Sequence, residues 1–214
     1  MENPQDKYIR EHSTQQSDAL AWIEKQTNIR TNYPRMLTGN VQGRLLTILA
    51  EMCGARNVLE IGTFTGYSAV CLANGIPYDG HVDTLEINDE LEDIIREGWG
   101  RAGVENKVTL YVGDALDTLE SLSSEGRVYD LVYIDANKRE YMDYYKKCIT
   151  MLRPGGIILA DDVMLGGKVF ADKLPVDKQT RGLLEFNDYV AADPSVEVVM
   201  LPIRDGLSII RKKL

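Results

Sequence analysis

The stretch Leu59-Glu60-Ile61-Gly62-Thr63-Phe64-Thr65-Gly66-Tyr67-Ser68 sets two glycines, three residues between them, after an apolar run and before a helical one. Glycine at such a turn lets the backbone approach a ligand closely, and the helix start behind it favours an anionic group. The spacing is GxxxG rather than the GxGxxG of a pyrophosphate-binding turn. Glu86 falls at the end of the next apolar run, in Leu85-Glu86-Ile87, where a carboxylate can accept hydrogen bonds from both hydroxyls of a ribose. Gly113-Asp114-Ala115 ends the third run. Asp114 can cap the following helix and accept from an adenine amino group, while Ala115 leaves room for the ring. The fourth run ends at Asp135 and the fifth at Asp161-Asp162. In a parallel sheet those ends are neighbours, and three carboxylates in one crevice are costly unless a cation compensates them. Oxygen-only donors suit a hard divalent ion such as Mg²⁺, Ca²⁺ or Mn²⁺. Lys138, just after Asp135, reaches the same crevice.

Such an arrangement needs a sheet to carry it. Val58–Ile61, Val82–Ile87, Val108–Val112, Leu131–Ile134 and Ile157–Ala160 read as short strands. They alternate with helical spacing near Tyr67–Asn74, Asp89–Ala102, Ala115–Leu122, Arg139–Met151 and Thr180–Ala192. Strand–helix units of this kind predict a parallel sheet with helices on both faces, joined by right-handed crossovers. Val196–Leu201 and Leu207–Ile210 break the rhythm, because the gap between them is too short for a helix. They predict a closing antiparallel hairpin, unlike a dinucleotide-binding domain that ends in another parallel strand. Residues 1–56 read as a helical cap, with Ala19, Leu20 and Ile23 at helical spacing in one segment and Leu45, Leu46, Ile48, Leu49 and Met52 in another. Val163–Asp177 reads as a glycine-containing loop of a length suited to a lid.

The 214 residues suit a single domain, a 1–56 cap and a 57–214 α/β core. A net charge of −9 argues against a general binder of phosphate backbones. The three cysteines, Cys53, Cys71 and Cys148, form no CxxC pair and predict neither a disulfide framework nor a zinc site. The polar N-terminus lacks the apolar stretch of a signal peptide, and no run reaches the ~18 apolar residues of a membrane span. The expectation is a cytoplasmic protein with no membrane partner. His12 and His81 lie in no acidic or cysteine motif, and Trp22 and Trp99 read as packing residues.

From about Met36 onward the chain resembles the cation-dependent O-methyltransferases, the group of the caffeoyl-CoA and catechol O-methyltransferases and small bacterial relatives. The stretches that carry the resemblance are Met36-Leu37-Thr38 with Gln42-Gly43, the glycine turn 59–68, Ile134-Asp135-Ala136-Asn137-Lys138-Arg139-Glu140-Tyr141, Leu152-Arg153-Pro154-Gly155-Gly156 and Leu201-Pro202-Ile203-Arg204-Asp205-Gly206-Leu207. The resemblance implies a Rossmann-like methyltransferase fold with a seven-stranded, mostly parallel sheet, and a homodimer. It implies that Thr38, Gly62, Thr63 and Ser68 hold the methionine part of S-adenosylmethionine, with Glu60 and Gly66 in the same turn. Glu86 would then bind its ribose and Asp114-Ala115 its adenine, with Asp135 close by. Asp135, Asp161 and Asp162 would ligate the metal, and Lys138 would be the catalytic base. Met36, Tyr141 and the loop at Met164, Leu165, Gly166-Gly167 and Phe170 are candidates to wall the acceptor, the loop's apolar members being equally suited to core or dimer contacts. Where the family pattern has Asp-Asn, this chain has Asp161-Asp162; the third carboxylate makes the shell −3 against a +2 ion and weakens the acidification of a bound hydroxyl.

The expected acceptor is a small catechol-like phenol, whose hydroxyl, with a pKa near ~10, is mostly protonated at neutral pH and needs activation. A reading in another substrate class is a tRNA hydroxyuridine O-methyltransferase, which requires Arg10, Arg30, Arg35, Arg44, Lys138 and Arg139 to converge on one basic face. A non-catalytic nucleotide-binding module would use the glycine turn and Glu86 but leaves the acid cluster unexplained.

Overall fold

The computed structural model describes residues 3–172 and 177–214. Three helices come first: α1 (Pro4–Glu11), α2 (Asp18–Arg30) and α3 (Asn40–Met52), with a 3₁₀ turn at Pro34–Met36. Side-chain caps start two of them, Asn3 for α1 and Ser17 for α2. The alternating part follows as β1 (Asn57–Ile61), α4 (Tyr67–Asn74), β2 (His81–Glu86), α5 (Glu92–Ala102), β3 (Val108–Val112), α6 (Ala115–Ser124), β4 (Tyr129–Ile134), α7 (Tyr141–Met151), β5 (Leu152–Asp161), α8 (Lys178–Ala192), β6 (Val196–Leu201) and β7 (Leu207–Lys212).

The seven strands form one sheet in the order β3-β2-β1-β4-β5-β7-β6. β1 to β5 are parallel, as expected, and β7 pairs antiparallel with both β5 and β6. The hairpin therefore enters the sheet by its second strand, which lies between β5 and β6. Successive side chains along a strand point to opposite faces. Val58 joins a core with Leu20, Ile23, Leu46, Val70, Leu72 and Ile95 from α2 to α5. Leu59 and Ile61 join the other core, with Leu119, Tyr145, Leu183 and Phe186 from α6 to α8. Both faces are thus covered, and the strand ends at one edge are left for chemistry.

Several sequence boundaries move. β5 begins at Leu152 rather than Ile157, because Leu152 already pairs with Tyr129; a bulge with Gly155 at φ +75° separates that pairing from the run that starts at Ile157. Ile87 lies outside β2 and is exposed, and a 3₁₀ turn at Asp89–Leu91 precedes α5. The expected lid is not loop throughout: Leu165–Phe170 coils into 3₁₀ turns divided by Gly166 and Gly167 at positive φ. Residues 173–176 of that stretch lie outside the described residues. No helix among the described residues is long and apolar enough to cross a membrane.

Candidate functional site

The carboxyl ends of β1, β2, β3, β4 and β5 surround a crevice of about 860 Å³, within the usual range for small-molecule sites. Thr38, Gly62, Thr63, Ser68, Glu86, Asp114 and Ala115 line one end; Met36, Asp135, Lys138, Asp161 and Asp162 also line it. The sheet register explains this meeting. Ile61 pairs with Leu85 on one side and Ile134 on the other, so the residues just beyond them leave the sheet together.

The glycine turn is fixed by backbone bonds. The amides of Gly62 and Thr63 both donate to the Leu85 carbonyl, at 2.9 and 3.1 Å. A Cβ on Gly62 would stand 2.0 Å from the Asp135 carbonyl oxygen, and its φ of +102° is one that side chains disfavour. Glu86 holds the turn from beside it: one oxygen accepts from Phe64 N at 2.7 Å and the other from Asn88 N at 2.9 Å. Burial raises the Glu86 pKa, and these amide bonds oppose the rise. Asp114 caps α6 through Leu116 N and Asp117 N, so the capping half of its expected double role is directly visible.

Three expected contacts need correction. Glu60 is fully buried and does not line the crevice, because alternation along β1 turns it to the Val58 side of the sheet, beneath α4. It accepts from Thr84 Oγ1 at 2.5 Å, and Thr84 is bonded to Thr63 at 2.6 Å, so Glu60 supports the turn from behind. Burial pushes its pKa up to about 8 against bonds from Ser68 and Thr84. Gly66 is also outside the lining; it starts α4 at φ +82°, and a Cβ there would meet Trp99 Nε1 at 2.7 Å. Tyr141 is expected on the acceptor wall but is fully buried at the start of α7, facing Phe186. Its hydroxyl donates to the Asp161 carbonyl at 2.8 Å and accepts from Lys138 Nζ at 2.6 Å, which makes it the seat of the lysine.

At the carboxylate end, Lys138 Nζ lies 2.9 Å from Asp135 Oδ1 and 3.5 Å from Asp162 Oδ2. Burial lowers the Lys138 pKa, but Tyr141, Asp135 and Asp162 outweigh it and the net shift is upward. Asp161 faces elsewhere. Its Oδ2 accepts from Gln42 Nε2 at 2.6 Å and Tyr133 OH at 2.9 Å, and its Oδ1 from Asp162 N at 2.9 Å. Burial, with Asp135 nearby, raises the Asp161 pKa; burial also raises that of Asp162, with Asp205 adding to it. Among the described residues these acids do not converge as a ready ligand triad. The chemistry of the donor set nonetheless fits a hard divalent cation: it is all oxygen, and Lys138 already supplies positive charge between two of its members.

The sequence reading passed over Gln42 as a site residue, along with Tyr133, Asp205 and Arg204. Gln42 is a buried polar position on α3, and its place on the helix face of Gly43, Leu46 and Ala50 is the signal that could have marked it. The basic face needed for nucleic acid is not assembled at Lys138, which is buried among carboxylates.

A family model described as O-methyltransferase matches residues 10–213. Caffeoyl-CoA O-methyltransferase 2 of Populus trichocarpa is 35% identical over 185 residues, which cover 83% of this chain and 75% of the plant protein. Catechol O-methyltransferase domain-containing protein 1 of Mus musculus is 34% identical over 210 residues, 97% of this chain and 79% of the mouse protein. Among solved structures, the O-methyltransferase of Bacillus cereus in complex with SAH superposes with a TM-score of 0.90 at 31% identity, covering 97% of this chain and 96% of that one. The O-methyltransferase TomG of Streptomyces achromogenes, in complex with SAM, gives 0.92 at 30% identity, covering 99% and 97%.

Proposed function

This chain belongs to the O-methyltransferase family, and we propose that it methylates a hydroxyl of a catechol-like phenol with the help of a divalent cation. The donor is S-adenosylmethionine, the ligand type carried by its structural neighbours. The observation that carries the proposal is the juxtaposition, in one crevice, of the glycine turn and Glu86 with Lys138, the two acids that flank it, Asp135 and Asp162, and the neighbouring Asp161.

Methyl transfer breaks the sulfonium's sulfur–carbon bond and forms an oxygen–carbon bond, and the electron pair of the broken bond stays on sulfur. Gly62, Thr63, Ser68 and Thr38 hold the methionine portion, Glu86 the ribose and Asp114-Ala115 the adenine. Their common effect is to fix the methyl group in place, which supplies the proximity term. Asp135, Asp161 and Asp162 would hold the cation, Mg²⁺ first and Ca²⁺ or Mn²⁺ as alternatives. Bound there, such an ion supplies the positive charge that favours an acceptor oxyanion. Lys138 holds its proton tightly while Asp135 and Asp162 are uncompensated. With the charge of these acids balanced, the lysine's affinity for that proton would fall and it would pass to solvent, and the neutral amine would then take the acceptor's proton. Met36 stands at the entrance as an acceptor wall, 58% exposed and free to cover an aromatic ring.

The test is a methyl-transfer assay on a panel of catechols and on unmodified tRNA, with and without chelator. Catechol methylation that stops with chelator and returns with Mg²⁺ is the expected result. Transfer indifferent to chelator removes the cation, and transfer to tRNA with none to phenols overturns the acceptor.

A further inference from the structure

Arg204 lies in the turn between β6 and β7, with a φ of +49° that non-glycine residues adopt at a cost. Its guanidinium crosses to the stretch before α3. One nitrogen donates to the Leu37 carbonyl at 2.8 Å and also to that of Thr38; the other donates to Arg35 O at 3.1 Å. The partners are 166 to 169 residues apart in the chain. Residues 32–38 line the crevice along their whole length, and Arg204 lines it as well. Leu37 anchors the stretch in the core by packing, but the hydrogen bonds of the stretch are few. Met36 N bonds Tyr33 O and Leu37 N bonds Pro34 O, both within it, and Gly39 then turns the chain at φ +76°. Among the described residues, no group outside the stretch except Arg204 makes a hydrogen bond to it.

We infer that Arg204 is a positioning residue for methyl transfer: it pins residues 35–38 as a wall of the crevice and thereby sets the affinity for donor and acceptor together. The inference rests on the reading that both substrates occupy this crevice. A planar guanidinium can serve three carbonyls at once, and each bond is charge-assisted; an ammonium on a flexible stem cannot reproduce the set. Arg204 itself is solvent-exposed, so water replaces the lost bonds when it is removed, and the wall loosens without unfolding the core. Because Thr38 and Met36 lie on the pinned stretch, loosening acts on binding and leaves the transfer step to Lys138 and its acids.

The experiment compares Arg204→Met, Arg204→Lys and a control, Arg211→Met, which removes an exposed ion pair with Glu197 on the same hairpin. Calorimetry with S-adenosylhomocysteine alone, free of acceptor and metal, is expected to show affinity falling about tenfold in Arg204→Met and about threefold in Arg204→Lys. The control stays at the wild-type value. In the phenol assay KM rises by similar factors while kcat holds within about twofold, the pattern of lost uniform binding. Hydrogen exchange of the amides of residues 35–38 becomes faster in Arg204→Lys with bound S-adenosylhomocysteine, and exchange in β1 and β4 does not. Unchanged affinity and exchange, or a loss in kcat with KM unaltered, overturns the inference. If the wild type fails to methylate any phenol, the proposed acceptor falls, yet the calorimetric and exchange arms still decide the role of Arg204.

Discussion

The two ends of the crevice are built by different means. At the glycine turn, charge is answered by backbone: Glu86 takes two amide bonds, Asp114 caps α6, and Glu60 is buried in a hydroxyl network with its pKa lifted to about 8. At the other end, Asp135 and Asp162 flank one ammonium, Asp161 and Asp205 line the same crevice without pairing to it, and burial raises the pKa of both Asp161 and Asp162. The first end is complete as folded, whereas the second carries more negative charge than its own cation balances. A preorganised donor site beside an electrostatically unfinished acceptor site implies that changes at the first should cost binding and fold, and changes at the second should cost turnover.

The largest effect is expected where the two ends touch. Gly62→Ala puts a methyl 2.0 Å from the Asp135 carbonyl, against backbone that cannot yield, at a φ of +102°. It should destabilise the fold by about 3 kcal/mol or more and reduce S-adenosylhomocysteine affinity by at least roughly 100-fold. Thermal unfolding and calorimetry check both. Normal affinity in a stable Gly62→Ala protein would show that the turn and β4 are not locked together.

Lys138→Met tests the opposite end. Turnover should fall by about 10³-fold, in the range of a lost acid–base group, while S-adenosylhomocysteine affinity changes by less than about twofold. Lost donor affinity in this variant would erase the division between the two ends. A smaller effect is expected from Gln42→Leu, which leaves Asp161 Oδ2 with Tyr133 as its one remaining side-chain donor. The chelator-sensitive rate should drop about tenfold, the worth of one charge-assisted bond, with donor binding intact. Equal rates in wild type and Gln42→Leu would mean that Asp161 needs no such support.

The donor end was the more legible in sequence for the same physical reason that it is complete. Glu86 and Asp114 fall at the ends of apolar runs, so the alternation that defines the strands also delivers them to the sheet edge. The alternation also foretold too much for Glu60, which shares its strand but faces the Val58 side. At the acceptor end, Asp135 and Lys138 were legible from their spacing. Tyr141 was not, because the start of α7 rotates it inward against Phe186. Gln42 and Arg204 act across 119 and 166 residues on Asp161 and Thr38, and no local pattern records such a partnership. The place of β7 inside the hairpin was also out of reach, since either strand of a hairpin can pair with β5 and turn length alone does not choose.

The smallest expected effect refines the donor end itself. Glu60 has a folded-state pKa of about 8 against an ordinary value of 4.5. Between those values the folded protein keeps a proton that the unfolded chain has released, so folding takes up a proton and stability falls as pH rises. The contribution is fully present below the unfolded value and is lost as pH passes through 8. Glu60→Gln imitates the protonated acid and removes this loss. Urea unfolding of wild type and variant over the range from pH 5 to about 9 should give two curves that coincide at the acid end and separate towards the alkaline end, the variant becoming the more stable. Donor affinity should change by no more than about threefold, because the side chain lies behind the turn rather than in the crevice. Parallel curves would mean that Glu60 is ionised in the folded protein, and the neutral hydroxyl network beneath Thr63 would have to be redrawn as a charged one.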